Sequence, residues 1–241
     1  MDPSDNPIRR RRKDARPQEL LDAALELFVE KGFAATRAEE VAIRAGVSKG
    51  TLYLYYPSKE DLLKAAIAQN LSERLAAGAA EAATFPGTPG ELLRHILVRW
   101  WTQVYDSPAS AVFKLVVTEV RNFPEIGDYY IHEVVEPAHA LLGGIIQRGI
   151  DSGEFRPVDV GVAVHSLVLP MIMVCLHKHS LGACAVEEHH IDGRDFIRQH
   201  VDLVLSGLCR HATVEAPALT CNESGPGSGA PAAARRAKAA K

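Results

Sequence analysis

The stretch AGVSKGTLYLYYPSKEDL, Ala45 to Leu62, decides how the chain is read. Ser48 and Pro57 bracket room for about two helical turns, and an isolated helix shorter than roughly a dozen residues is marginal in water. Such a helix must be held by its neighbours. Where a core helix would carry leucines it carries Tyr53, Tyr55 and Tyr56, which leaves its outer face free to touch something else.

The flanking residues supply those neighbours. Arg16 to Lys31 predicts a first helix, with Leu20, Leu21, Ala24, Leu25 and Phe28 on one apolar stripe and Gly32 as its stop. Thr36-Arg37-Ala38-Glu39 has the form of a capping box, in which Thr36 caps a second helix, Glu39 reaches back, and Gly46 closes it. Ser48 caps a third helix at once, and Pro57 stops it. Ser58, Glu60 and Asp61 then favour the start of a fourth, which runs to about residue 80. Residues 36–56 therefore form helix, tight turn and helix, the helix-turn-helix pattern. Val41, Ala42, Ala45, Val47 and Leu52 are its expected core against Leu25 and Phe28. Lys49, Gly50, Thr51, Tyr53 and Tyr55 are left facing outward, a set suited to a major groove.

Composition bounds what surrounds this element. The chain has 241 residues, 47% hydrophobic and 24% charged, which fits a soluble globular protein with a sizeable core. A formal net charge of -3 gives no global attraction to nucleic acid, so any such function must come from local clusters. Basic residues gather at Arg9 to Lys13 and again at Arg235, Arg236, Lys238 and Lys241. The four cysteines, Cys175, Cys184, Cys209 and Cys221, form no CxxC pair, and no disulfide framework is expected. The arginine run replaces the apolar stretch of a secretory signal. The longest apolar segment, Val158 to Leu176, is broken by Asp159, Gly161, His165 and Pro170. The expectation is a cytoplasmic protein with no membrane span.

Helical spacing recurs almost throughout, so the expected class is all-α with about nine helices. After a Pro/Gly break at 85–90, helices are predicted over 90–106, 109–122, 126–152, 157–179 and 193–211. The expected organisation is a flexible basic arm at 1–14, a three-helix DNA-binding domain at 15–63, a helical effector-binding and dimerisation domain at 64–211, and a disordered tail at 212–241, where Ala, Pro, Gly and Ser dominate.

The run GFAATRAEEVAIRAGVSKGTLYLYYPSKEDLL, Gly32 to Leu63, resembles the DNA-binding region of TetR/AcrR-type transcriptional regulators. Glycine, capping, apolar and aromatic positions all fall in register over about thirty residues. NFPEI at 122–126 and GIDSGEFRPVD at 149–159 are similar to segments around the seventh helix of many members. The resemblance implies that Thr36, with Arg37 beside it, meets a phosphate at the second helix, and that Ser48, Lys49, Gly50 and Thr51 open the recognition helix. It places Tyr53 against backbone and thymine methyls, and Tyr55 and Lys59 on phosphates. Departures are Leu54, Tyr56 for the usual Phe, and Glu39 and Glu40 where basic residues often help to read bases.

The resemblance also implies double-stranded DNA as partner, a homodimer through the last two helices, and a small-molecule effector among the middle ones. Phe196, Ile197, Val201, Val204, Leu205 and Leu208 mark the apolar face of the last helix. For the effector pocket the candidates are Trp100, Trp101, Tyr105, Phe113, Val117 and Met171, with Arg121, His139 and His165 as polar groups. No cofactor is expected. Two other readings stay open. Cys175, His177, His179, Cys184, His189 and His190 offer zinc or copper ligand types, as a metal-sensing regulator would need, although not at the spacing of a closed structural site. A helical interaction protein would bind no DNA at all. Nucleophile motifs, phosphate loops and HExxH are absent, so no enzyme is expected.

Overall fold

The computed structural model describes residues 7–180, 182 and 192–210, with side chains of 7–15 outside that description. Eleven α-helices follow one another: α1 (Pro7–Lys31), α2 (Ala38–Arg44), α3 (Lys49–Tyr55), α4 (Lys59–Ile67), α5 (Glu73–Thr84), α6 (Pro89–Asp106), α7 (Ala109–Glu119), α8 (Pro124–Tyr130), α9 (Glu136–Asp151), α10 (Val160–Lys178) and α11 (Gly193–Leu208). Two π-helical turns, Ala68–Ser72 and Ile131–Val135, join α4 to α5 and α8 to α9, leaving nine continuous rods among the described residues. The all-α expectation holds, and the only β pairing among these residues is an isolated bridge between Phe155 and Cys209.

α1 begins at Pro7, not near Arg16, so the expected flexible arm over 1–14 is helical from Pro7 onward. Proline is favoured at a first helical position and arginine is a good helix former, and Pro17 lies inside the helix without ending it. The side chains of Arg9 to Lys13 and the tail at 212–241 lie outside the described residues.

The head of the molecule is built on α1. Leu20, Ala24, Leu25 and Phe28 are buried as the stripe predicts, and Leu27 joins them. Gly32 takes φ 86° and Gly46 φ 67°, left-handed values that side chains rarely adopt, which end α1 and turn α2 into α3. Val41, Ala42 and Leu52 close the core between the two short helices. Arg44 of α2 straps back to Glu30 at 2.9 Å and Glu26 at 3.2 Å on α1.

In the second half, a Thr88–Glu91 capping box and Pro89 start α6 where the Pro/Gly break ends. α6 packs against α9 and α11, and α10 lies against α7, α9 and α11. α10 is long and apolar enough, by length and composition, to cross a membrane, but its inner face is core: Ala163, Val164, Leu167, Met171, Val174 and Cys175 are buried. Its outer face leaves Val162, Leu169 and Met173 exposed at 64%, 56% and 62%.

Candidate nucleic-acid interface and effector cavity

α3 is held by a buried leucine and a half-buried tyrosine at its end. Leu52 is fully buried, Tyr55 and Tyr56 are half-buried against the core, and Lys49, Gly50, Tyr53 and Leu54 are exposed. Ser48 caps the helix, its Oγ accepting from the Thr51 N–H at 3.1 Å and lying 2.9 Å from the Thr51 hydroxyl. Tyr56 sends its hydroxyl toward Pro17 O at 3.4 Å, and burial pushes its phenol pKa up. The outward face thus carries an ammonium, a bare backbone at Gly50, a capped hydroxyl at Thr51 and the ring of Tyr53. Lys49 sits 5.7 Å over that ring and is ion-paired with Glu39 of α2. The carboxyl of Glu39 is held below the usual range, first by its hydrogen bond from Lys49.

Two side chains expected at phosphates turn inward. Thr36 is 2% exposed, and its hydroxyl donates to Gly32 O at 2.8 Å, with Leu27 O 3.2 Å away. It therefore satisfies carbonyls at the end of α1 instead of capping α2. The N-cap of α2 is Arg37, whose N–H donates to Glu40 Oε2 at 3.1 Å, so Glu40 and not Glu39 closes that box. Lys59 donates to Phe33 O at 2.9 Å and points at Ala34 O and Thr36 O, each 3.3 Å away. Its ammonium also lies 4.5 Å over the Phe33 ring. Lys59 holds the loop between α1 and α2 from within, while Ser58 caps α4 by accepting from Asp61 N–H at 3.0 Å.

The second half encloses a cavity of about 280 Å³ between α6, α7, α8 to α9, and α10, with Leu75 and Gly78 of α5 on its wall. Five of the nine expected residues line it: Trp100, Trp101, Phe113, His139 and His165. The other four do not. Tyr105 sits one turn past the end of the wall, beneath Lys178 and against Gly193. Val117 is 56% exposed, Arg121 is exposed in the turn after α7, and Met171 is fully buried in the core without lining the cavity. The wall missed from sequence is a stripe at helical spacing on the α8–α9 rod: Tyr130, Val134, Ala138, Leu141 and Leu142.

The polar groups of the cavity are few, and none of its lining residues is Asp, Glu, Lys or Arg. His165 Nδ1 lies 2.8 Å from Gly161 O; a carbonyl only accepts, so that nitrogen is the donor. The ring of His139 meets His165 edge-on, with centroids 4.7 Å apart. Burial pushes the Tyr130 phenol up to about 12, which keeps it a neutral donor. Trp100 Nε1 is buried without a hydrogen-bond partner.

Of the metal-ligand candidates, Cys184, His189 and His190 lie outside the described residues. Cys175 is fully buried, and burial pushes its thiol up to about 12. His177 at the end of α10 is half-buried. His179 lies 2.8 Å from the Ser110 hydroxyl through Nε2. Among the described residues no group of three or more His, Cys, Asp or Glu could hold a metal ion.

Comparison with known proteins agrees with this geometry. Residues 20–66 match the pattern described as bacterial regulatory proteins, tetR family, and residues 87–191 match the tetracyclin repressor-like C-terminal domain. The chain belongs to the tetR family. Its members are ligand-responsive DNA-binding transcriptional regulators and generally not enzymes. The HTH-type transcriptional regulator YfiR of Bacillus subtilis is 30% identical over 166 residues, 68% of this chain and 80% of that one. The HTH-type transcriptional repressor KstR2 of Rhodococcus jostii is 29% identical over 198 residues, 81% of this chain and 92% of its own. Among solved structures, FadR from Bacillus subtilis in complex with stearoyl-CoA superposes with a TM-score of 0.63 at 23% identity, covering 79% of this chain and 98% of that chain. In this tetR-family chain the first match runs from within α1 into α4, and the second holds the cavity wall from Ile96 to Ile172.

Proposed function

We propose that the protein is a homodimeric repressor whose α3 helices read a palindromic operator and whose cavity takes a small, largely apolar effector that releases the DNA. The observation that carries this is the exposure pattern of α3, anchored by buried Leu52 and half-buried Tyr55 while Lys49, Gly50 and Tyr53 face out. Arg37, Ser48, Lys49, Gly50, Thr51, Tyr53 and Tyr55 form the contact set, and Thr36 and Lys59 shape the loop behind it. Residues 15–63 serve as the reading head, and 64–211 as the sensor and dimer domain. As a DNA-binding regulator of this family the protein works in the cytoplasm.

A dimer is supported by the apolar side chains left uncovered on the last two helices, Val162, Leu169 and Met173 on α10 and Leu203 on α11, the last 70% exposed. A second copy covers them, and two-fold pairing sets two heads on half-sites about one helical turn or more apart. The apolar cavity wall supports a lipophilic effector, because a charge buried there would find no fixed counter-charge. The stearoyl chain bound by FadR is one example of such chemistry in a neighbour of the same fold.

Selection of binding sites from random duplex DNA tests the reading. Enrichment of a two-fold symmetric site is expected, with a steep salt dependence of its affinity. If ligand-free protein enriches no sequence, the repressor reading fails.

A further inference from the structure

We propose that Glu39 and Lys49 read one base pair as a unit, and that it is G·C with the guanine facing Lys49. This rests on the reading of α3 as the DNA-contacting helix. Glu39 stands in the first turn of α2 and Lys49 opens α3; their side chains are hydrogen-bonded to each other and remain about half exposed, at 48% and 53%. Lys49 also lies over the exposed Tyr53 ring, so the ion pair is continuous with the outward face of α3.

The pair is not needed to hold the head together. Exposed ion pairs contribute little to stability, and α2 already meets α3 through buried Val41, Ala42 and Leu52. A lone carboxylate on this face would repel phosphates. Joined to Lys49, it forms a neutral couple with one donor end and one acceptor end.

The major-groove edge of a G·C pair has the complementary form. Guanine O6 and the cytosine amine are hydrogen-bonded to each other at about 2.9 Å, and they face the groove side by side as acceptor and donor. An ammonium and a carboxylate joined by a hydrogen bond match that separation with opposite polarity. The ammonium meets O6 and N7, and the carboxylate accepts from the cytosine amine. C·G and A·T reverse the polarity, setting a donor against Lys49 and an acceptor against Glu39. T·A keeps the polarity but offers a methyl group where guanine offers N7.

The test is selection from random duplexes with the full chain and with Glu39→Ala, Glu39→Gln and Lys49→Ala, with circular dichroism to verify folding. Wild-type protein is expected to enrich a symmetric site with one G·C pair per half-site at a fixed position. Glu39→Ala keeps the site but relaxes that position by about tenfold; Lys49→Ala relaxes the same position, and Glu39→Gln, which retains an acceptor, keeps part of the preference. Unchanged preferences at every position in Glu39→Ala, or uniformly tighter binding to all sequences, would overturn the inference while leaving the DNA reading intact. No enrichment by the wild-type chain would overturn both.

Discussion

Replacing Lys59 by alanine separates two roles for this side chain. Removal deletes a charged hydrogen bond of 2.9 Å to Phe33 O, two longer contacts of 3.3 Å, and a cation over the Phe33 ring at 4.5 Å. A charge-assisted bond contributes about 1.5–3 kcal/mol when buried, and a cation over a ring about 0.5–1 kcal/mol at an exposed site. Lys59 is only partly buried and water replaces some of these contacts, so a loss of about 2 kcal/mol is expected. For a chain of this size that lowers Tm by roughly 4–8 °C. The loop at 33–36 carries the start of α2, so DNA affinity falls by a similar factor on every sequence. The dependence of log affinity on log salt keeps its slope, because no phosphate contact is lost. Thermal unfolding and binding titrations at several salt concentrations check both halves. A slope shallower by about 0.9 per subunit, with Tm unchanged, would mean that the ammonium leaves the loop for a phosphate and would refute the inward role.

Other perturbations follow from the same structure. Gly149→Ala places a Cβ 2.2 Å from the buried Phe155 ring, and overpacking of this kind should cost about 1–3 kcal/mol by denaturant unfolding. Burial, followed by the neighbouring charges Lys178 and Lys114, lowers His179 from 6.5 to about 4. The unfolded chain therefore binds more protons between those values, and the contribution of neutral His179 is complete above 6.5 and lost as pH falls toward 4. His179→Gln should flatten the fall of Tm across that window, and an equally steep fall would remove His179 as its source. Met173→Glu together with Leu203→Glu adds two charges to side chains already exposed in the single chain, so the variant should stay folded but run as a monomer in light scattering and lose tight operator binding.

Much of the head was legible because its punctuation is local. Gly32, Gly46, Ser48, Pro57 and Ser58 each act within a few residues, so helix order and the exposed face of α3 follow from spacing. Thr36 was misplaced because either it or Arg37 can precede α2. What decides is the unsatisfied end of α1, which draws the Thr36 hydroxyl inward. The inward contacts of Lys59 have a long-range origin: its acceptors lie 23 to 26 positions earlier, and no local pattern announces them. Cavity residues were half legible. Trp100 and Trp101 continue the face of Ile96 and Leu97 on α6, but where that wall ends is set by the packing of α11 on Tyr105. The Tyr130 to Leu142 stripe passes through a π turn, which shifts the face by part of a turn and obscures the period.

That same rod runs from the cavity wall to the head. It begins beside Phe123, whose ring meets Phe33 edge-on at 4.9 Å; Phe33 in turn meets Phe28 of α1 at 5.0 Å and gives its carbonyl to Lys59 at the start of α4. One end of the rod therefore touches the loop that holds the DNA-reading helices, and its middle, from Tyr130 to Leu142, is cavity wall. Closely packed side chains cannot absorb a displaced wall by compression. On the proposed reading of a dimer with its effector in this cavity, a ligand that seats better against a shifted rod draws the Phe123–Phe33 contact with it, and it can bias the spacing of two heads only by that difference in fit. Affinity for the cavity alone is thus no measure of an effector: a molecule that binds tightly without moving Tyr130 and Val134 leaves the operator occupied.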